Sequence, residues 1–340
     1  MMQKENQKKK YRGFRTSRLL MGFLVILALV LSGVCIYAVT RNLQKQTQTI
    51  PDNGSESENM AASESDARGQ QEKWQEGVIR YQGRQYRYNS AIKNYLFLGI
   101  DRKGTAQKAE DGISGGQSDA IFLLVENAKN KTFSIVAVNR NAMTNIDVYD
   151  REGNFVEQTM LPICLQHGYG DGLRTSCLRS VEAVSRMFYD LPISGYLSLY
   201  MDGIPRLNDA VGGVVLDGET LDGQEAYTYV RSRDTDKFDS ATERLERQKE
   251  YILQFMAQAG ELVSQDQSAA LRIYHSISDY LVTNLDFADM AEDFAAYDFD
   301  QASMYTVPGE TMMGLLYEEF YIDEEALYEL ILEVFYEPVE

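Results

Sequence analysis

Beyond residue 77, short apolar runs alternate with polar turns along the chain. Most runs have the length of one strand and end at a polar residue, which is typical of buried strands. The pattern predicts strands at 84–89, 94–100, 120–126, 132–138, 143–149 and 195–201. Two of these strands are joined by the polar turn 127–131, so we expect a β-hairpin there.

Other segments carry apolar residues three and four positions apart, the spacing of a helix with one buried face. The predicted helices cover 176–189, 204–211, 224–230, 242–259, 268–281, 286–296 and 323–335. Strands and helices interleave, and some strands form hairpins. We therefore expect an α/β fold with a mixed central β-sheet flanked by helices.

The N-terminal segment has a different pattern. Residues 19–39 are uncharged and apolar, and as a helix they would span roughly 30 Å, the thickness of a bilayer core. The basic residues before this run are Lys4, Lys8, Lys9, Lys10, Arg12, Arg15 and Arg18. The positive-inside rule predicts a single-pass cell-membrane protein with a cytoplasmic N-terminus and an extracytoplasmic domain. A cleaved signal peptide is the alternative, but the run is long for one and no small-residue cleavage site follows closely.

Composition divides the rest of the chain. A basic cytoplasmic tail covers residues 1–18, and residues 40–76 are polar and acidic with few apolar side chains. Such a stretch cannot bury enough surface to fold, so we expect a disordered stalk. We assign residues 77–258 to the α/β domain and residues 259–340 to a helical C-terminal extension packed on it.

Charge and cysteine content narrow the possible partners. The 340 residues carry a formal net charge of −18, which argues against a nucleic-acid partner but permits one local basic pocket. Cys164 and Cys177 could form a disulfide or remain free thiols, and we weigh these possibilities equally. His167 and His275 are far apart in sequence, so a structural zinc site is not expected.

Two aspartates lie at the ends of predicted strands. Asp101 follows the strand at 94–100, and Asp119 precedes the strand at 120–126. If these strands are neighbours, both carboxylates can bind one Mg²⁺, which proteins hold with one or two carboxylates plus substrate phosphates. The alternative to a metal site is that both aspartates only cap turns.

A cluster of arginines is the most informative feature. Its members are Arg231, Arg233, Arg244 and Arg247, with Gln248 beside the last. Arg140, at the end of the strand predicted at 132–138, is a separate candidate for binding phosphate oxygens, and an ordinary surface arginine is the alternative there. Arg231 and Arg233 would share one face of an extended stretch, and the residues from 244 to 248 would share one face of a helix. In an acidic protein this pattern indicates a pocket for two adjacent phosphates. A salt-bridge network with the interleaved acidic residues is the alternative.

Together these motifs resemble the LytR-CpsA-Psr family of bacterial cell-wall proteins. The matching segments, in family order, are 98–101 (LGID), 118–119 (SD), the strand ending in Arg140, 207–214 (LNDAVGGV), 221–226 (LDGQEA), 229–233 (YVRSR) and 244–248 (RLERQ). They lie within residues 92–256, and the C-terminal residues resemble extensions of clostridial members.

The resemblance implies an extracytoplasmic phosphotransferase that moves a glycopolymer from a polyprenyl-diphosphate carrier onto peptidoglycan. It implies Mg²⁺ at Asp101 and Asp119, and an apolar groove for the polyprenyl chain. The residues that would bind the pyrophosphate and catalyse transfer are Arg140, Arg231, Arg233 and Arg244, with Gln248 as a further substrate-binding residue. We expect Arg247, on the same helix face, to bind substrate as well.

Three sites depart from the family pattern. Gln117 stands where the family commonly has Arg, and Asn139 and Asn141 flank an arginine that usually lies between Pro and Asp. Ala241 stands where the family often has Asp, and Asp239 is the nearest substitute. These departures keep two other functions open: a polyprenyl-pyrophosphate hydrolase, and a non-catalytic protein that binds lipid phosphates or scaffolds cell-wall assembly.

Overall fold

The computed structural model describes residues 77–234, 236–266, 268–285 and 303–339. The predicted cytoplasmic tail, membrane helix and stalk lie outside these ranges, as does the helix predicted at 286–296. Among the helices within the described ranges, none combines the length and the hydropathy of a transmembrane span.

The strands predicted from the sequence are present, with ends shifted by at most two residues. In chain order the strands are β1 (Val78–Tyr81), β2 (Arg84–Tyr88), β3 (Ile92–Ile100), β4 (Ser118–Asn127), β5 (Thr132–Ala137), β6 (Met143–Tyr149), β7 (Phe155–Pro162), β8 (Gly195–Tyr200), β9 (Val215–Leu216), β10 (Glu219–Thr220), β11 (Leu281–Thr283), β12 (Ser303–Thr306), β13 (Gly309–Met313), β14 (Glu318–Ile322) and β15 (Tyr336–Val339). The predicted hairpin is β4–β5.

Six α-helices accompany these strands in the described part of the chain. They are α1 (Arg174–Met187), α2 (Ile204–Ala210), α3 (Gly223–Arg231), α4 (Ser240–Gln265), α5 (Ser268–Ile277) and α6 (Glu324–Phe335). Helix α3 begins with a capping box, in which Asp222 accepts from backbone N–H groups of the first turn and Glu225 accepts from the Asp222 N–H. This cap fixes where the helix starts and therefore where its last residue, Arg231, lies.

A mixed six-stranded sheet, in the order β11-β8-β3-β4-β5-β12, forms the centre of the fold. The neighbours β3, β4 and β5 are antiparallel, whereas β8 pairs with β3 and β12 pairs with β5 in parallel. The mixed α/β fold predicted from the sequence is therefore confirmed.

Side chains alternate between the two faces of the sheet along each strand. Both faces are buried, each by a separate apolar cluster. On β3, Leu96 and Leu98 pack with residues of α1 and α6 in the larger apolar core. Tyr95 and Phe97 point to the opposite face and pack with Leu245 and its neighbours on α4. This burial explains why β3 is a nearly continuous apolar run in the sequence.

The prediction of a helical C-terminal extension after residue 258 is wrong. Helix α4 continues through that boundary, and the described residues beyond it include strands that join the sheets of the preceding domain. Strand β11 pairs with β8, β12 with β5, and β15 with β2. These strands have three or four residues each, too few to show a clear alternation in the sequence.

Cys164 and Cys177 are both buried free thiols. The Cys177 Sγ atom lies 3.9 Å from His167 Nε2, and burial raises the pKa of the Cys164 thiol to about 11. The structure therefore contains two free thiols at these positions and no disulfide between them.

Candidate functional site

Asp101 and Asp119 lie side by side across the antiparallel strands β3 and β4. Gly99 pairs with Ala120 and Ile100 pairs with Ser118, so Asp119 is an extra residue in a β-bulge. A bulge redirects a side chain from the regular alternation. Asp101 follows β3, and its Oδ1 accepts a hydrogen bond of 2.8 Å from the Gln117 N–H.

Two arginines hold the Asp119 carboxylate. Arg140 Nε lies 2.8 Å from Oδ1 in an ion pair, although its N–H does not point at that oxygen. Arg244 Nη1 lies 3.0 Å from Oδ2, and the three side chains of Asp119, Arg140 and Arg244 are at most 14% exposed. One carboxylate therefore stands between two nearly buried guanidinium groups, and the group as a whole is cationic.

Arg140 also contacts Gln117 and Asn141, two of the residues that depart from the family pattern. Its Nη2 donates to Gln117 Oε1, and its Nη1 lies 3.5 Å from Asn141 Oδ1. Amide oxygens accept hydrogen bonds without neutralising the guanidinium charge. Of these three contacts of Arg140, only the ion pair with Asp119 therefore offsets its charge.

Arg231 ends helix α3 and lies over an aromatic ring. Its Cζ is 4.8 Å from the centre of the Tyr227 ring, and its Nη1 donates to the Tyr227 hydroxyl. That hydroxyl donates in turn to Asp202 Oδ1 at 3.2 Å. Tyr227 and Asp202 thus fix the arginine side chain, and neither was identified from the sequence, although Tyr227 lies one helical turn before Arg231.

The surroundings of Asp101 raise the pKa of its carboxyl group. Burial is the largest influence and raises the pKa of the Asp101 carboxyl, and the negative charge of Asp119 raises it further. The hydrogen bond from Gln117 and the positive charges of Arg140 and Arg231 lower it in part. The surroundings of Asp101 therefore disfavour its charged form, mainly through burial.

Arg233 lies on the segment between α3 and α4 and is held by two side chains. Its Nε donates to Ser240 Oγ at 2.8 Å, and its Nη2 donates to Glu318 Oε2 at 3.1 Å. Glu318 comes from β14, in the part of the chain that the sequence assigned to the extension. Nothing in the local sequence pattern indicated this contact.

The two remaining predicted residues lie on α4. Gln248 is buried, and its Nε2 donates to Val230 O at 3.2 Å and lies 3.4 Å from Asp119 O. Arg247 donates to the carbonyl oxygens of Tyr229 and Ser232, so its guanidinium supports the end of α3. The expected contact between Arg247 and substrate stays a prediction.

An apolar cavity of about 180 Å³ adjoins the charged group. It lies between the sheet and helices α2, α4 and α5, and Phe97, Leu199 and Phe255 are among its lining residues. Ala120, the residue after Asp119, and Gln248 also line it. The Asp119–Arg140–Arg244 group therefore stands at one end of a nearly wholly apolar cavity.

The model of the LytR_cpsA_psr family matches residues 53–330. The chain belongs to the LytR-CpsA-Psr family. One relative is the polyisoprenyl-teichoic acid–peptidoglycan teichoic acid transferase TagU of Enterococcus faecalis, which is 26% identical over 252 residues, or 68% of this chain and 75% of the relative. The transferase TagT of Bacillus subtilis is 27% identical over 211 residues, or 56% of this chain and 58% of TagT.

Solved structures share the fold of this LytR-CpsA-Psr chain. A protein of Streptococcus agalactiae superposes with a TM-score of 0.59 and 18% identity, covering 72% of this chain and 87% of that one. The structure of TagT bound to LI-WTA superposes with a TM-score of 0.52 and 22% identity, covering 72% of this chain and 89% of TagT. At these identities the likeness establishes the common fold.

Proposed function

We propose that this LytR-CpsA-Psr protein is an extracytoplasmic phosphotransferase that moves a glycopolymer from a polyprenyl-diphosphate carrier onto peptidoglycan. One observation carries the proposal: the cationic group of Asp119, Arg140 and Arg244 lies at the end of an apolar cavity. A polyprenyl diphosphate has the same division into an apolar chain and an anionic head. The relatives TagU and TagT are named as teichoic acid transferases, which agrees with this proposal.

The balance of charge in the site suits a diphosphate. Asp119 supplies one negative charge against the two positive charges of Arg140 and Arg244, and Arg231 adds another beside Asp101. Guanidinium groups form paired, charge-assisted hydrogen bonds with phosphate oxygens. A site with this excess of positive charge, in a chain of net charge −18, favours an anionic ligand.

The residues present also fit Mg²⁺. Asp101 and Asp119 are adjacent carboxylates. Burial, and to a smaller extent the charge of Asp119, raises the pKa of Asp101, and a bound cation would stabilise the charged form of Asp101 against both effects. Within the described residues, no group of three or more His, Cys, Asp or Glu side chains could hold a metal. Two carboxylates are nevertheless enough for Mg²⁺, because it commonly takes its other ligands from substrate phosphates and water. When bound, Mg²⁺ would neutralise charge on the phosphates.

The protein side chains would act by positioning and by electrostatic stabilisation. The cavity would hold the polyprenyl chain, so that the diphosphate meets Arg140, Arg244 and Arg231. A hydroxyl group of peptidoglycan would form a bond to the phosphorus that carries the glycopolymer, while the bridging P–O bond breaks. Polyprenyl phosphate would leave with the bridging oxygen and take up the proton of the attacking hydroxyl. Guanidinium groups that are already fixed stabilise the charge of this transition state without reorganising.

A transfer assay with the purified full-length chain tests this function. We would measure release of polyprenyl phosphate from a polyprenyl-diphosphate-linked glycopolymer, with and without peptidoglycan. Arg231→Ala should lower the rate by about 100-fold, because one donor to the developing charge is lost. Arg206→Ala is the matched control, since Arg206 also lies over a tyrosine ring, that of Tyr280, but is exposed and makes no contact with the site.

The same assay separates the other two functions. Rapid release of polyprenyl phosphate without peptidoglycan would identify a hydrolase and contradict the transferase. Lipid that binds but is not turned over under any acceptor would identify a non-catalytic lipid-phosphate-binding protein.

A further inference from the structure

The hairpin formed by β13 and β14 reaches the site from the C-terminal part of the chain. Its residue Glu318 is buried, with a side chain 7% exposed. Glu318 Oε2 accepts from Arg233 Nη2 at 3.1 Å, and Oε1 accepts from the Asp239 N–H at 2.8 Å. Both carboxylate oxygens therefore bind the segment that carries Arg233.

The same strand also binds the segment that carries Arg140. The Phe320 N–H donates to Asn141 O at 3.0 Å, and Phe320 forms a parallel bridge with Ala142. Phe320 lies two residues after Glu318 on β14. A single short strand thus contacts the backbone directly after Arg140 and the side chain of Arg233.

A network of hydroxyl groups adds a second connection through Asp239. Asp239 has a φ of 61°, a left-handed conformation that is uncommon for a residue other than glycine and needs support from its surroundings. Its Oδ1 accepts from Thr311 on β13 and from Thr242 on α4. Thr242 accepts in turn from Asn139 Nδ2 at 3.0 Å, next to Arg140.

We infer that Glu318 is a positioning residue of this site, and that the β13–β14 hairpin holds the segments of Arg140 and Arg233 in register with each other. The role rests on the proposed function. A buried carboxylate is costly unless its oxygens are bonded, and here both bonds are made to the arginine-bearing segment. Glu318 fixes the direction of the Arg233 guanidinium, whose positive charge is close enough to act on Arg244 in the site.

Kinetics with the full-length chain test this role. Glu318→Gln removes the charge that orients Arg233, and we expect a loss of about 10- to 100-fold in transfer rate, the usual effect of misplacing a group that contacts the reacting atoms. Glu319→Gln is the matched control, because Glu319 is the next residue on β14 and its carboxylate bonds to the Tyr321 hydroxyl instead. The control should retain the wild-type rate.

A double-mutant cycle distinguishes positioning from simple support of the fold. The readout is the dissociation constant of geranylgeranyl diphosphate for the wild type, Glu318→Gln, Arg233→Ala and the double variant. If Glu318 acts through Arg233, its substitution weakens binding about tenfold in the wild type but less than about twofold when Arg233 is already Ala. Glu318→Asp, which keeps the charge but is shorter, should resemble Glu318→Gln, and thermal unfolding confirms that each variant is folded.

Equal losses in the two backgrounds would overturn the positioning role, as would a Glu318→Gln variant that transfers at the wild-type rate. A wild-type protein that neither binds geranylgeranyl diphosphate nor transfers glycopolymer would instead overturn the proposed function, and the role of Glu318 with it.

Discussion

Arg244 binds Asp119 through both ends of its guanidinium group, although 125 residues separate the two in the chain. Nη1 lies 3.0 Å from Oδ2, and Nη2 lies 3.4 Å from Oδ1. This bidentate pair joins helix α4 to the bulge of strand β4, next to the apolar cavity. Because the pair is nearly buried, we expect its loss to lower the free energy of unfolding, which can be measured separately from ligand binding.

Asp119→Asn should destabilise the protein by about 3–5 kcal/mol, because it leaves the buried Arg244 guanidinium without its counter-charge. Urea denaturation measures this loss in the free energy of unfolding. Glu243→Gln, one residue before Arg244 but paired with Lys237 at the surface, is the control and should change stability little. A loss at Asp119 no larger than that of the control would contradict a buried, structurally important pair.

Under the proposed magnesium site at Asp101 and Asp119, Mg²⁺ should raise the melting temperature of the wild type, because a ligand that binds only the folded state stabilises that state. Asp101→Asn should abolish the response, and since the amide oxygen of Asn can still accept the hydrogen bond from the Gln117 N–H, the variant should fold normally. Differential scanning fluorimetry with MgCl₂, compared with NaCl at equal ionic strength, measures the shift. An equal Mg²⁺ response in the variant would argue against a metal at this carboxylate.

His167 should make stability depend on pH. Burial lowers its pKa from 6.5 to about 4, and its Nδ1 lies 3.1 Å from Gly116 O, which only a protonated Nδ1 can satisfy as a donor. Because the folded pKa is depressed, the stabilisation is present above pH 6.5 and is lost as the pH falls through about 4. The shift corresponds to about 3 kcal/mol.

His167→Gln removes this titration, so its free energy of unfolding should fall less than that of the wild type between pH 7 and pH 4. Urea denaturation across the range gives both slopes. Comparing slopes makes the test independent of any constant cost of the substitution itself. Parallel curves for the two proteins would show that His167 is not buried as a neutral ring.

Ala120→Leu should block the apolar cavity beside Asp119. The larger side chain would occupy space that a polyprenyl chain needs, so the affinity for geranylgeranyl diphosphate should fall at least about tenfold, the equivalent of about two lost methylene contacts. Inorganic pyrophosphate, which has no apolar chain, is the control ligand and should bind as before. Calorimetry with both ligands measures the effect, and equal losses would place the chain outside this cavity.

Residues close to one another in sequence were predicted well. The strands around Asp101 and Asp119 follow from apolar runs of strand length, whereas the pairing of these two strands was only assumed for the metal site and is shown by the structure. The apolar spacing of α4 likewise placed Arg244 on a helix. Arg231, which was predicted in an extended stretch, is instead the last residue of α3. The correctly predicted features depend on local propensity and periodicity, which a sequence carries directly.

The C-terminal strands and Glu318 were not predicted. Glu318 lies in an acidic, aromatic stretch whose pattern gives no sign of a partner 85 residues earlier. The pairings of β11, β12 and β15 likewise depend on the edges of sheets built by other parts of the chain. Edge pairing is decided by which backbone groups remain unpaired after the sheet has formed, and this cannot be read from the short strand itself.

The sequence by itself determined the order of strands and helices, the excess of arginine in an acidic chain, and the motifs of the LytR-CpsA-Psr family. Only the tertiary structure decided which charges meet. It placed Asp119 between Arg140 and Arg244, turned Arg247 to the backbone and brought Glu318 to Arg233. The physical reason is that periodicity and capping act over a few residues, whereas ion pairs form between groups that the packed sheet and helices bring together from distant parts of the chain.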